Sequence, residues 1–328
     1  MRFAFSDDQL AFRDTVRDFL AAECPPAVVR AEATEPGDGW RAPWSKLAEM
    51  GVVGLTAPES RGGLGLADLD LVLLLEETGR AAMPGPIVET TAVALPSLGD
   101  HEWSARAAAG DAVIAAGFDD GHVGFGADAD VLLLTDGEDL HLVERPSVDV
   151  DSVASIDGLR RLAAVAWEPS DSTRIGRSGE LQDARDRGAL ATAAQLCGVA
   201  AALIEVTVDY AKERRQFGVP IGSFQAVKHQ CANAMLALEY ARPLVYRGAY
   251  SMSGGDPQRS IHASMAKAYA SDAARLTARV ALQVHGAIGY TAEHDPQLWM
   301  KRAWALSTAW GDAAFHRGRV ADAVLAPR

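Results

Sequence analysis

Apolar positions along the chain fall into three textures. In the first hundred or so residues they recur at helical spacing. Ser6 and Gln9 form a capping box ahead of Leu10, Phe12, Val16, Phe19 and Leu20, which predicts a helix. "APWSKLAEMGVVGL" predicts a short helix around Leu47 and Met50, ended by Gly51. "PESRGGLGL" reads as a Gly-rich turn, "DLDLVLLLEETGRAA" as a buried helix, and the two prolines of "MPGPIVET" interrupt it. From about Asp111 short apolar runs alternate with Gly and Asp, which predicts strands. "LLLTDGEDLHLV" predicts a hairpin with a slightly long loop, and "STRIGRSGELQD" a polar linker.

Beyond the linker the three-four spacing returns in long stretches. Leu190, Ala194, Cys197, Ala201, Ile204 and Val208 make one stripe; Phe224, Val227, Cys231, Met235, Leu238 and Val245 another; Met265, Tyr269, Leu276 and Val280 a third. Breaks at "FGVPIGS" and "SGGDPQ" make these an antiparallel bundle. The predicted fold is mainly α with a small β domain: an N-terminal α-helical domain over 1–110, a reduced β domain over 111–179 and a C-terminal four-helix bundle over 180–328.

Composition narrows the function. With 44 acidic against 31 basic residues the 328-residue chain carries a net charge of -13, so no basic excess exists to neutralise nucleic-acid phosphates. No uninterrupted apolar run reaches about 18 residues, so no membrane span is expected. Cys24, Cys197 and Cys231 share no metal or disulfide spacing; Cys197 and Cys231 lie on apolar stripes and read as buried thiols in a reducing cytoplasm.

Four separated phrases carry the chemistry: "APESRGGLGL", "EETGRAAMPGP", "YAKERRQFGVPIGSFQAVKH" and "ALQVHGAIGYTAEHDPQLWMKRAWAL". Their wording and order resemble the acyl-CoA dehydrogenase family. The resemblance implies an α domain, a β domain and a helical bundle, assembled as a tetramer with FAD shared across a subunit interface. It implies that Arg214, Phe217, Gly218, Gln225, Gln283, Gly286 and Gly289 reach the ADP half of a neighbour's FAD. The chemistry suits the residue types. A guanidinium forks onto a pyrophosphate, an aromatic ring covers an apolar face, and glycine lets backbone N–H groups approach closely. "GAIG" departs from the family's "GGxG" by carrying Ala287.

The implied reaction is α,β-dehydrogenation of an acyl-CoA thioester, in which a carboxylate removes the α proton. Counted from "HGAIGY", the family's E-G-T phrase falls on Trp310-Gly311-Asp312, and an indole N–H only donates. Some members carry the base on a preceding bundle helix, which points to Asp272; an ion pair of Asp272 with Arg275, or a solvated carboxylate, is the plainer expectation. The flavin-gripping phrases of the β domain are missing from "AGFDDGHVGFGADADVLLL".

Three readings follow. The chain is the non-catalytic subunit of an α2β2 acyl-CoA dehydrogenase, of the kind the family uses in actinobacteria on steroid side-chain CoA thioesters; or a homo-oligomeric enzyme with Asp272 as relocated base; or an acyl-CoA-binding or structural module without flavin. The retained cofactor phrases favour the first over the third, and the missing β-domain phrases favour it over the second. Elsewhere the plain expectations are solvated or paired surface carboxylates at Glu76, Glu77, Glu293 and Asp312, a packed or capping His285, no metal site in the scattered histidines His229, His285 and His294, and a surface or interface pair at Lys301 and Arg302.

Overall fold

Helix α1 (Asp7–Glu23) begins at the predicted capping box: Gln9 N donates to Ser6 Oγ at 3.2 Å and Ser6 N to Gln9 Oε1 at 2.8 Å. The computed structural model describes residues 4–118 and 121–325; Asp119 and Asp120 of the shortened β segment lie outside the described residues. Helices α2 (Pro26–Thr34), α3 (Arg41–Glu49) and α4 (Asp68–Arg80) follow, α3 running into Gly51 at φ 81°. After the two prolines the chain forms a π-helix over Val88–Ala94, then the short helices α5 (Leu95–Leu98) and α6 (Glu102–Ala108).

Two small sheets make the β unit. Strands β1 (Ile114–Ala116), β3 (Val131–Asp136), β4 (Asp139–Glu144) and β7 (Arg174–Gly176) form one, in the order β1-β3-β4-β7. Strands β2 (His122–Gly124), β6 (Leu162–Ala166) and β5 (Asp149–Ser152) form the other, in that order. The predicted hairpin is β3–β4, but its loop is tight. Asp136 pairs with Asp139 and Gly137 sits at φ 57°, the left-handed geometry that two-residue hairpin turns require. The expected linker is no linker either: Arg174 and Gly176 pair with β4, and the next helix starts at Ser178.

That helix, α7 (Ser178–Glu213), has 36 residues and is long and apolar enough to cross a membrane, yet 89% of its apolar window is buried inside the protein, so it is the bundle's core. A two-stranded hairpin, β8 (Arg215–Gln216) and β9 (Val219–Pro220), leads into α8 (Gln225–Ser253). Then come α9 (Arg259–His285), α10 (Pro296–Thr308) and α11 (Ala313–Leu325). Small residues set the spacing of the helices. A Cβ placed on Gly198 of α7 would lie 1.8 Å from Glu76 O, and one on Gly79 of α4 2.1 Å from Gln195 O, so the two backbones touch and neither position accepts a side chain.

Two of the apolar stripes read from the sequence are core only in part: Leu238 and Val245 are buried as expected, but other members are not. Met235 and Tyr269 are exposed and Cys231 is only half-buried, whereas Cys197 is buried as expected. The buried faces are the small-residue ones: Ala234, Leu238, Ala241 and Val245 on α8, and Ala263, Ala266, Ala270 and Ala274 on α9. Glu76 and Glu77 are ion-paired, as one expectation has it, but as buried pins and not on an exposed face. Glu76 accepts from Arg242 Nε at 2.8 Å and Tyr246 Oη at 2.9 Å on α8, and Glu77 from Arg17 of α1 at 2.6 Å. Each lost hydration shell is compensated by charge-assisted hydrogen bonds that tie α4 to its neighbours.

Candidate functional site

Antiparallel packing brings the predicted cofactor residues to one end of the bundle. The C-terminus of α7, the N-terminus of α8 and the C-terminus of α9 meet there, where Tyr210 stacks on His285 with ring centroids 4.4 Å apart. Arg214 caps α7 and is exposed, with no carboxylate paired to it among the described residues. Its carbonyl accepts from Ile221 N at 2.7 Å, which closes the β8–β9 hairpin. At the hairpin tip Phe217 and Gly218 both have positive φ, 51° and 82°. Asn-Gly is the usual pair for such a turn; a bulky Phe there costs roughly 1–2 kcal/mol. Phe217 is 93% exposed, touched only at its edge by Phe224. A strained and largely bare aromatic ring gains little from its own chain.

Gln225 is the first residue of α8 and exposed, so its amide stands at the positive end of a 29-residue helix. Gln283 is exposed on the last turn of α9. Gly286 follows at φ 65° and ψ -139°, a conformation reserved for glycine, with open space where a Cβ would point. Gly289 has a different place: it is buried against Leu282 and His285, so it serves close packing. His285 packs as expected, its Nδ1–H donating to Ala281 O at 2.7 Å; burial pushes its pKa down and keeps the ring neutral. One cation, two amides and an uncovered ring facing outward fit the pyrophosphate and an apolar face of FAD approached from outside this chain.

The expected base position is filled with carbon. Trp310, at φ 57°, packs edge-on against Phe118 of the β unit with centroids 5.1 Å apart. Its ring lies flat on α7, so that a Cβ on Gly188 would stand 2.4 Å from indole carbons. The turn carrying it is held from inside. Lys267 Nζ, completely buried, donates to Gly311 O at 2.9 Å, Ser307 O at 3.1 Å and Ser271 Oγ at 3.1 Å. Desolvation lowers the Lys267 ammonium to about 7. His316 Nε2–H donates to Trp310 O at 2.9 Å, and burial holds its pKa down at about 4. Asp312 is the exposed N-cap of α11, accepting from Phe315 N at 2.8 Å.

Asp272 stands elsewhere. It is five residues along α9 from the inward-facing Lys267, about 140° around the helix. It is exposed and paired with Arg317 of α11, so the expected partner, Arg275, is replaced by one that no local spacing reveals. Arg302 corrects the surface-pair expectation for "MKRAW". It is 4% exposed, ion-paired to buried Asp157 of the β unit and bonded to Met83 O at 3.3 Å, so it joins all three parts of the chain. Nearby, the buried carboxyl of Glu89 on the π-helix has its pKa raised by desolvation against the opposing pull of Arg160 and Arg302.

Fold and site together define a flavin-dependent dehydrogenase architecture. The profile of the acyl-CoA dehydrogenase C-terminal domain matches residues 181–325 and that of the N-terminal domain residues 6–106. The chain belongs to the acyl-CoA dehydrogenase family, whose members are FAD-dependent oxidoreductases, and FAD is its cofactor. It is 35% identical over 302 residues to the acyl-CoA dehydrogenase IpdE2 of Mycolicibacterium smegmatis, covering 91% of this chain and 93% of that protein. The crystal structure of the ChsE4-ChsE5 complex from Mycobacterium tuberculosis superposes with a TM-score of 0.89 at 24% identity over 100% of both chains. A steroid acyl-CoA dehydrogenase, Tcur3481-Tcur3483 in its G363A variant, superposes with 0.87 at 23% identity over 97% of this chain and 98% of that one.

Proposed function

We propose that this chain is the non-catalytic subunit of a heteromeric, α2β2 acyl-CoA dehydrogenase of the cytoplasm, completing the FAD site of a second subunit that supplies the base. The reading takes the chain as three units, 1–110, 111–179 and 180–328. The observation that carries it is a contrast within the fold. The cofactor-reaching residues Arg214, Phe217, Gln225, Gln283 and Gly286 are exposed and unspent, while the base position holds Trp310 pressed onto Gly188. The ion pair of Asp272 with Arg317 on the outer surface weighs against a relocated base. Two structural neighbours bear names of paired chains, and one of them is called a steroid enzyme; this supports a CoA thioester of a steroid side chain as the substrate class.

FAD bound in the partner supplies the acceptor for the hydride that leaves the β carbon of the acyl group. This chain's share is recognition. The Arg214 guanidinium would hold the pyrophosphate, and Gln225 and Gln283 would add neutral donors. Phe217 would cover an apolar cofactor face and exclude water. Lys267 and His316 hold the Trp310 turn closed, and its indole cannot accept the α proton.

The test is to purify the chain alone and together with a second acyl-CoA dehydrogenase chain of the same organism, then record flavin absorbance and dye-coupled oxidation of acyl-CoA. Flavin and turnover present only in the mixture, at one FAD per pair, are the expected result. A yellow, active protein from this chain alone refutes the reading.

A further inference from the structure

The outer face of α9 is a strip about 25 Å long, taken at 1.5 Å per residue from Tyr269 to Gly286. At one end it borders an apolar groove of about 250 Å³ against α11, where Tyr269 is 55% and Val324 66% exposed. In the middle a half-open groove of about 440 Å³ lies between α9 and α10, lined by Asp272, Arg275, Leu276, Arg279 and Trp304. At the other end stand Gln283 and Gly286. Leu276, Arg279 and Gln283 are spaced by three and four, so they share one face of the helix.

The middle groove is unbalanced. Arg275 and Arg279 are exposed, one turn apart, and neither has a carboxylate partner among the described residues. Like charges at this spacing repel in the isolated chain. Asp272, the carboxylate at the rim, is turned to Arg317. Two free guanidinia over a floor of Leu276 and Trp304 form a cationic notch in a chain whose net charge is -13. A second copy of this chain laid on the strip by a two-fold axis through the notch would set these guanidinia against their own equivalents.

We propose that this strip is the face on which the FAD-holding subunit sits, and that the partner inserts an acidic side chain flanked by an apolar one into the notch of Arg275, Arg279, Leu276 and Trp304. The inference rests on the subunit reading above. It adds which surface is covered and what chemistry covers it. Continuity of the strip with Gln283 and Gly286 lets one docking event seat the partner and present the cofactor residues.

The experiment uses the full chain with the acyl-CoA dehydrogenase chain that restores flavin and turnover in the test above, association being measured by sedimentation velocity and calorimetry. Arg275→Glu/Arg279→Glu is expected to weaken association by at least about 100-fold, as reversing close interfacial charges does. Its thermal melt stays that of the parent, since both side chains are exposed. Phe217→Ala is expected to assemble normally and lose FAD. Association that survives the double substitution overturns this assignment and leaves the subunit reading standing. Loss of association confined to Leu236→Glu/Tyr240→Glu on α8 overturns it too, as does a homodimer of this chain that the arginine substitutions abolish. No association of the parent chains overturns the subunit reading itself.

Discussion

Gly188→Ala tests the assignment of Trp310 as a filler. A Cβ at this position would stand 2.4 Å from Cδ2 and Cε3 of the indole, over 1 Å inside carbon–carbon contact. The ring cannot simply swing aside, because its far edge is packed on Phe118. Overpacking of this kind costs about 1–3 kcal/mol. Replacing Gly by Ala inside α7 returns about 1 kcal/mol of helix propensity, so the net loss is expected near 1 kcal/mol. Trp310→Gly removes the ring and suits φ 57°. In that background only the propensity gain remains, and Gly188→Ala becomes stabilising by about 1 kcal/mol. The sign reverses, and the coupling in a double-mutant cycle is about 2 kcal/mol. Denaturant unfolding of the four proteins measures it. If Gly188→Ala has the same effect in both backgrounds to within about 0.5 kcal/mol, the indole does not occupy the space assigned to it.

Three further outcomes are expected. The Lys267 ammonium ionises at about 7 in the folded chain and near 10.5 when unfolded. The unfolded state therefore binds the extra proton between those values, and stability relative to Lys267→Met must climb with pH across that window, by up to about 1.4 kcal/mol per unit; parallel stability–pH curves refute the burial argument. Arg302→Met strands the buried Asp157 carboxylate and should cost about 3–5 kcal/mol, whereas Arg302→Met/Asp157→Leu should cost distinctly less, both read by chemical denaturation. Phe217→Gly relieves a left-handed bulky residue and should raise the midpoint of unfolding by an amount worth about 1 kcal/mol, while the assembled enzyme loses FAD on gel filtration.

The helices were legible because their signals are local. The capping box at Ser6, the stop at Gly51 and the alternation around Asp136-Gly137 each lie within one turn or hairpin. The family's phrases were legible as wording, and their meeting at one end follows from antiparallel order alone. What escaped was long-range pairing. Nothing near Arg302 names Asp157, 145 residues away, and nothing near Asp272 names Arg317. A signal existed for some of it. Lys267 falls within the small-residue stripe of Ala263, Ala266, Ala270 and Ala274, and Glu76 and Glu77 interrupt a run of leucines; a charge inside an apolar stripe marks a buried partner. The third stripe misled because Tyr269, on an outer face, has the same spacing as a core residue.

The backbone contacts of Gly79 with Gln195 and of Gly198 with Glu76 limit how the molecule deforms. With main chain resting on main chain, α4 cannot slide or rotate along α7 without collision, so the first and last thirds of the chain move as a single chassis. Any breathing that accompanies assembly is then left to the strand unit, which is fastened to that chassis by the Arg302–Asp157 pair and by the ring of Trp310 against Phe118.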